Sequence, residues 1–75
     1  MKRRDIVRMA NQIADFHRPY PEQEAVDGIA QHIRDFWDPR MRADLAAQLA
    51  EDETGFDDLA LAGARRFLEG TVSAA

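Results

Sequence analysis

The chain contains no cysteine. That excludes disulfide staples, thiolate metal sites and a cysteine nucleophile together. Hydroxyl side chains are almost as scarce, amounting to Tyr20, Thr54, Thr71 and Ser73. Thr71 and Ser73 fall in a small, polar C-terminal stretch with no fixed base nearby, whereas a catalytic nucleophile needs a rigid scaffold beside its base. Gly55, Gly63 and Gly70 are too scattered to cradle phosphates. The histidines, His17 and His32, sit in no ligand motif. His32 and Asp35 could meet on a helix, but a catalytic metal normally takes three protein ligands. No run approaches the ~18 apolar residues of a membrane span. No apolar segment follows the basic start Lys2-Arg3-Arg4, which speaks against a secretory signal. Excess positive charge is also missing, because the formal net charge is −4. A nucleic-acid binder needs a basic face to neutralise phosphates, so a small helical nucleic-acid module is only a remote alternative. The exclusions leave a cytoplasmic protein without catalytic or metal-binding residues of its own.

With 75 residues, one domain is expected. A chain this short buries only about 60% of the surface it exposes when unfolded. Its apolar burial roughly balances its ordering entropy, so a partner surface is a natural source of added stability. Exposed apolar area also favours self-association in isolation.

What is present is helical periodicity, and the fold class read from it is all-α. Three main helices and a shorter fourth are expected, over residues 5–17, 22–37, 39–50 and 57–68, with a frayed tail over 70–75. Ile6, Met9, Ile13 and Phe16 recur at spacings of three, four and three, and Val26, Ile29, Ile33 and Phe36 repeat that pattern. Asp5 is positioned as the first N-cap. Pro19 and Pro21 stop the first helix, and Pro21, Glu22 and Glu24 suit the first turn of the second. Gly28 inside this second helix costs roughly 1 kcal/mol against alanine, a cost that close approach of another backbone would offset. Asp38-Pro39 restarts the chain as a cap followed by a proline at the first helical position. In the third helix Met41, Leu45 and Leu49 form one stripe, and Ala43, Ala46, Ala47 and Ala50 form another, read as a solvent face. In the fourth, Leu61, Ala64 and Leu68 share a side. The segments 9–16 and 29–36 are identical at four of eight positions, so the first two helices present similar faces to each other as a hairpin.

Charge is uneven. Lys2, Arg3, Arg4 and Arg8 crowd the start, and Glu51, Asp52, Glu53, Asp57 and Asp58 crowd a later loop. Each cluster reads as solvated. Phe36 and Trp37 are adjacent and point about 100° apart on a continuing helix. Both rings read as packed within the bundle between different neighbours; the sharper alternative makes Trp37 an interface anchor framed by Arg40 and Arg42, because Trp and Arg are preferred at the centres of interfaces.

These residues carry a resemblance. Met9-Ala-Asn-Gln-Ile13 with Phe16, then Gly28-Ile-Ala with His32, and above all Phe36-Trp37-Asp38-Pro39-Arg40-Met41, resemble the delta subunit of NAD-dependent, molybdenum-containing formate dehydrogenase. The similarity runs from about residue 6 to residue 49. The resemblance implies a cytoplasmic complex that oxidises formate with NAD. Its larger subunits carry a molybdopterin cofactor, iron–sulfur clusters, flavin and the NAD site, and the delta subunit carries no cofactor. It implies docking on those subunits, chiefly alpha, to stabilise the assembly, or a transient part in inserting the molybdenum cofactor. The family offers no catalytic residue to transfer. Asn11, Gln12, Phe36, Trp37, Pro39 and Arg40 are carried over as fold or docking determinants, and Arg42 joins them from the charge reading.

Overall fold

The structure is a computed structural model describing the backbone of residues 2–73 and the side chains of residues 2–70. Four helices follow in order, α1 (Arg3–His17), α2 (Glu22–Phe36), α3 (Pro39–Glu51) and α4 (Asp58–Ser73), and the described residues include no strand. The all-α class holds, with one correction. The fourth helix has 16 residues and is the longest of the set. It begins near the expected position but runs through Gly70 to Ser73, since no proline or left-handed glycine interrupts it. Of the tail expected to fray, residues 70–73 are helical and residues 74 and 75 lie outside the described residues.

The helix ends follow local chemistry. At the start of α3, Asp38 accepts a 2.8 Å hydrogen bond from the Met41 amide, and Pro39 occupies the first turn. The same motif ends α2. A residue before proline is pushed into the extended region, and Asp38 sits at φ −74°, ψ 166°. Trp37 has left the helix by then, at φ −85°, ψ 136°, so α2 ends at Phe36. At the other end α1 begins earlier than expected, because the Lys2 carbonyl accepts from the amides of Asp5 and Ile6. Asp5 therefore lies in the first turn, where its charge suits the helix dipole. Asp57 caps α4, its carboxylate accepting from the Ala60 amide at 2.8 Å.

Ile6, Ala10, Ile13, Ile29, Ile33 and Leu45 form the centre of the core, joined by Trp37, Phe56, Ala60, Ala64 and Phe67. Helices α2 and α4 make the most extensive contact. Gly63 is its closest point, where a β-carbon would fall 2.6 Å from Cβ of Ile29. Helix α3 is peripheral. Leu45 is its one buried residue, Met41 and Leu49 are half-buried, and Ala43, Ala47 and Ala50 face solvent as expected, whereas Ala46 of the same stripe is half-buried in a recess shared with Phe67 and Leu68.

Candidate docking surface on the first hairpin

Helices α1 and α2 run antiparallel. His17 lies over Gly28, and Met9 and Trp37 line the opposite end of the same groove. Gly28 is thus approached closely by a side chain and not by a backbone. A β-carbon there would meet His17 Cδ2 at 2.5 Å. Nδ1–H of His17 donates to the Ile13 carbonyl at 2.9 Å, which fixes the ring across the groove.

The repeat between the two helices has a direct structural meaning. Ala10 and Ala30, and Ile13 and Ile33, are equivalent pairs, and all four are buried. Phe16 and Phe36 are also equivalent, and both point outward, 84% and 74% exposed. These two rings were expected to complete the core stripes. They do not, because the core takes the small residues Ala10, Ala14 and Ala30 in their place. Tyr20 is exposed as well, its ring 6.3 Å from that of His17. His32 stacks on Phe36 at 4.8 Å. Between the helices lies a groove of about 500 Å³, lined by Met9, Gln12, Ile13, Phe16, His32 and Trp37 among others.

The expected docking residues separate into distinct groups. Trp37 is only 5% exposed and belongs to the core, so it is not a projecting anchor; its neighbour Phe36 projects instead. The reason is the helix end at Phe36, which turns Trp37 inward. Asn11 is engaged within the chain. Its amide donates to the Gly55 carbonyl and its oxygen accepts from the Asp57 amide, both at 3.0 Å. It clips α1 to the turn before α4, where Gly55 has φ +98°, a value that favours glycine. Gln12 is exposed on the groove rim. Pro39 and Arg40 are exposed on α3, away from the groove. Arg42 is half-buried with Pro39 in a shallow recess against Phe67 and Leu68, and its Nε finds no hydrogen-bond partner among the described residues.

The basic start and the acidic loop meet at one ion pair, and arginines from elsewhere in the chain pair with the rest of the loop. Arg3 pairs with Asp52 and donates to the Thr54 carbonyl, Arg18 pairs with Asp57 at 2.8 Å, and Arg65 pairs with Glu53. Asp15 and Asp57 hold the Arg18 guanidinium above its usual pKa. Hydrogen bonds from Thr54, aided by the charge of Arg3, hold Asp52 below the usual carboxylate range. These are exposed contacts that fasten a loop and contribute little individually. Among the described residues no group of three His, Cys, Asp or Glu is placed to hold a metal ion, and no helix is long and apolar enough to cross a membrane.

The family model described as NADH-dependant formate dehydrogenase delta subunit FdsD matches residues 5–64, most of the chain. The chain belongs to that family. The match reaches beyond residue 49, where the resemblance read from motifs ended, and includes the loop and the first turns of α4. It also spans the whole hairpin and the groove between its helices. No curated protein and no solved structure matches the chain.

Proposed function

We propose that this delta subunit is a non-catalytic accessory subunit. It docks on the larger subunits of a cytoplasmic NAD-dependent formate dehydrogenase, chiefly alpha, and stabilises the assembly. The observation that carries this reading, beside the family, is the pair Phe16 and Phe36. Two large aromatic rings stand in solvent at equivalent places on one hairpin while alanines fill the core behind them. Exposed aromatic area of this kind marks a contact surface. The reacting cofactors of the complex, a molybdopterin, iron–sulfur clusters, flavin and NAD, belong on the other subunits, and this chain holds none.

Co-expression of a tagged chain with the larger subunits tests this directly. A stoichiometric complex is expected, with formate oxidation lost or less stable when the chain is deleted and no formate turnover by the chain alone. Elution of the chain by itself, or turnover by the isolated chain, would overturn the reading. Presence on the molybdenum-free alpha subunit but absence from the loaded complex would instead identify a transient assembly factor.

A further inference from the structure

We propose that the groove between α1 and α2 receives one amphipathic helix of a larger subunit, whose apolar stripe lies between Phe16 and Phe36 and whose flanking residues are lysine or arginine. This rests on the accessory-subunit reading above and assigns the face and the chemistry of what covers it. The groove runs between helices of 15 residues each, about 22 Å, which suits three to four turns of a single helix. Its floor is apolar, supplied by Met9, Ile13 and Trp37. Phe16 is an exposed wall on one side, and on the other the lining His32 stacks on Phe36, which projects beside the groove.

Charge decides the occupant. The α1 rim is neutralised by its own chain, since Arg8 pairs with Asp5 and Asp15 pairs with Arg18. The α2 rim is not. Asp35, the counterpart of Asp15 in the repeat, takes both of its hydrogen bonds from the neutral amide of Gln31, at 2.9 and 2.8 Å. Glu22, Glu24 and Asp35 have no cationic partner among the described residues. Glu24, Gly28, Gln31 and Asp35 follow one another at spacings of four, three and four, so Glu24 and Asp35 lie along one outer edge of α2 with the neutral Gly28 and Gln31 between them. A basic helix edge complements it. A second copy of this chain does not, because a two-fold contact would bring acidic rims together on a molecule already at −4.

The full chain, co-expressed with the larger formate dehydrogenase subunits, provides the test. Phe16→Ser with Phe36→Ser changes solvent-facing positions, and circular dichroism and the melting temperature verify that the fold persists. Loss of affinity on the order of 100-fold or more is expected for this double variant. Glu24→Lys with Asp35→Lys is expected to abolish co-elution at low salt. Ala43→Ser with Ala47→Ser on the α3 face is expected to bind as wild type. If the wild-type chain fails to co-elute, the accessory-subunit reading itself fails. If wild type binds and the folded phenylalanine variant binds equally, the groove assignment alone is wrong. Tighter binding by the lysine variant would overturn the basic character of the partner. A wild-type dimer in light scattering that the phenylalanine variant dissolves, with large-subunit binding intact, would make a second copy the occupant and overturn the proposal.

Discussion

Helix α2 contacts α4 along one side and α1 along the other, and the two contacts are built from different side chains. Against α4 the spacer is Gly63, and Ile29 lies directly on its backbone. Ala60 and Ala64 flank it, and the helices close at this point; the recess of about 500 Å³ elsewhere along them is lined mostly by charged and polar side chains, among them Asp27, Gln31, Arg34, Arg66 and Glu69. Against α1 the spacer is Gly28, and the ring lying on it is His17, half-buried and polar. The next outward residues are Phe16, Gln12 and Met9, which hold the helices apart and leave a groove. Both contacts use a glycine and both leave a recess beside it, but only the α1 side lines that recess with large apolar side chains. The α4 contact buries its apolar side chains and leaves a polar recess, whereas the α1 contact keeps apolar surface for a partner.

The sharpest way to break this contrast uses adjacent residues. Trp37→Ala should cost about 3–5 kcal/mol of stability, because it removes a buried aromatic at the groove floor. Phe36→Ala, one position away, should stay within about 0.5 kcal/mol while weakening docking. Urea denaturation with a co-elution assay separates the two.

The glycines give the next largest difference. Gly63→Ala forces a β-carbon onto Ile29 and should cost about 1–3 kcal/mol by overpacking. Gly28→Ala should remain within about 1 kcal/mol of wild type, since the half-buried His17 ring can swing out and the alanine favours the helix. Equal losses at both sites would erase the distinction between a glycine packed under an aliphatic core side chain and one covered by a movable ring.

Asn11→Ala should cost about 1–2 kcal/mol, as two hydrogen bonds between α1 and the turn at Gly55 disappear. Faster amide exchange at residues 53–57 would accompany it. The smallest effect concerns acid. The Asp52 carboxylate titrates below its unfolded value of 3.8, so its stabilising contribution is complete above that pH and is lost as the pH falls through the folded value. Asp52→Asn should therefore be slightly less stable than wild type at neutral pH and converge with it in acid, as thermal melts from pH 7 to pH 2 would show.

Much of the fold is legible where chemistry is local. Asp38-Pro39 reads as a helix start because capping and a preset φ act within one turn, and both are present. The stripes containing Ile6, Ile13, Ile29 and Ile33 follow from spacing alone. Errors arise where tertiary packing chooses among apolar residues. Ala10, Ala14, Ala30 and Ala60 are buried ahead of larger neighbours because close helix contacts need small side chains. Phe56, beside a polar loop, and Phe67, off the stripe of Leu61 and Leu68, fill the core without any period announcing them. Periodicity does not say which of Phe36 and Trp37 turns inward, because that depends on where α2 ends. The pairings of Arg3 with Asp52 and of Arg18 with Asp57 are non-local, and only the opposite signs of the basic start and the acidic loop hint at the first.

Hydrogen exchange on the chain, free and in complex with the larger formate dehydrogenase subunits, reports where the partner sits. Strong added protection is expected along 9–17 and 28–36, with little change in α3. Protection concentrated on the alanine face of α3, with the α1–α2 hairpin exchanging as in the free chain, would contradict docking through the groove.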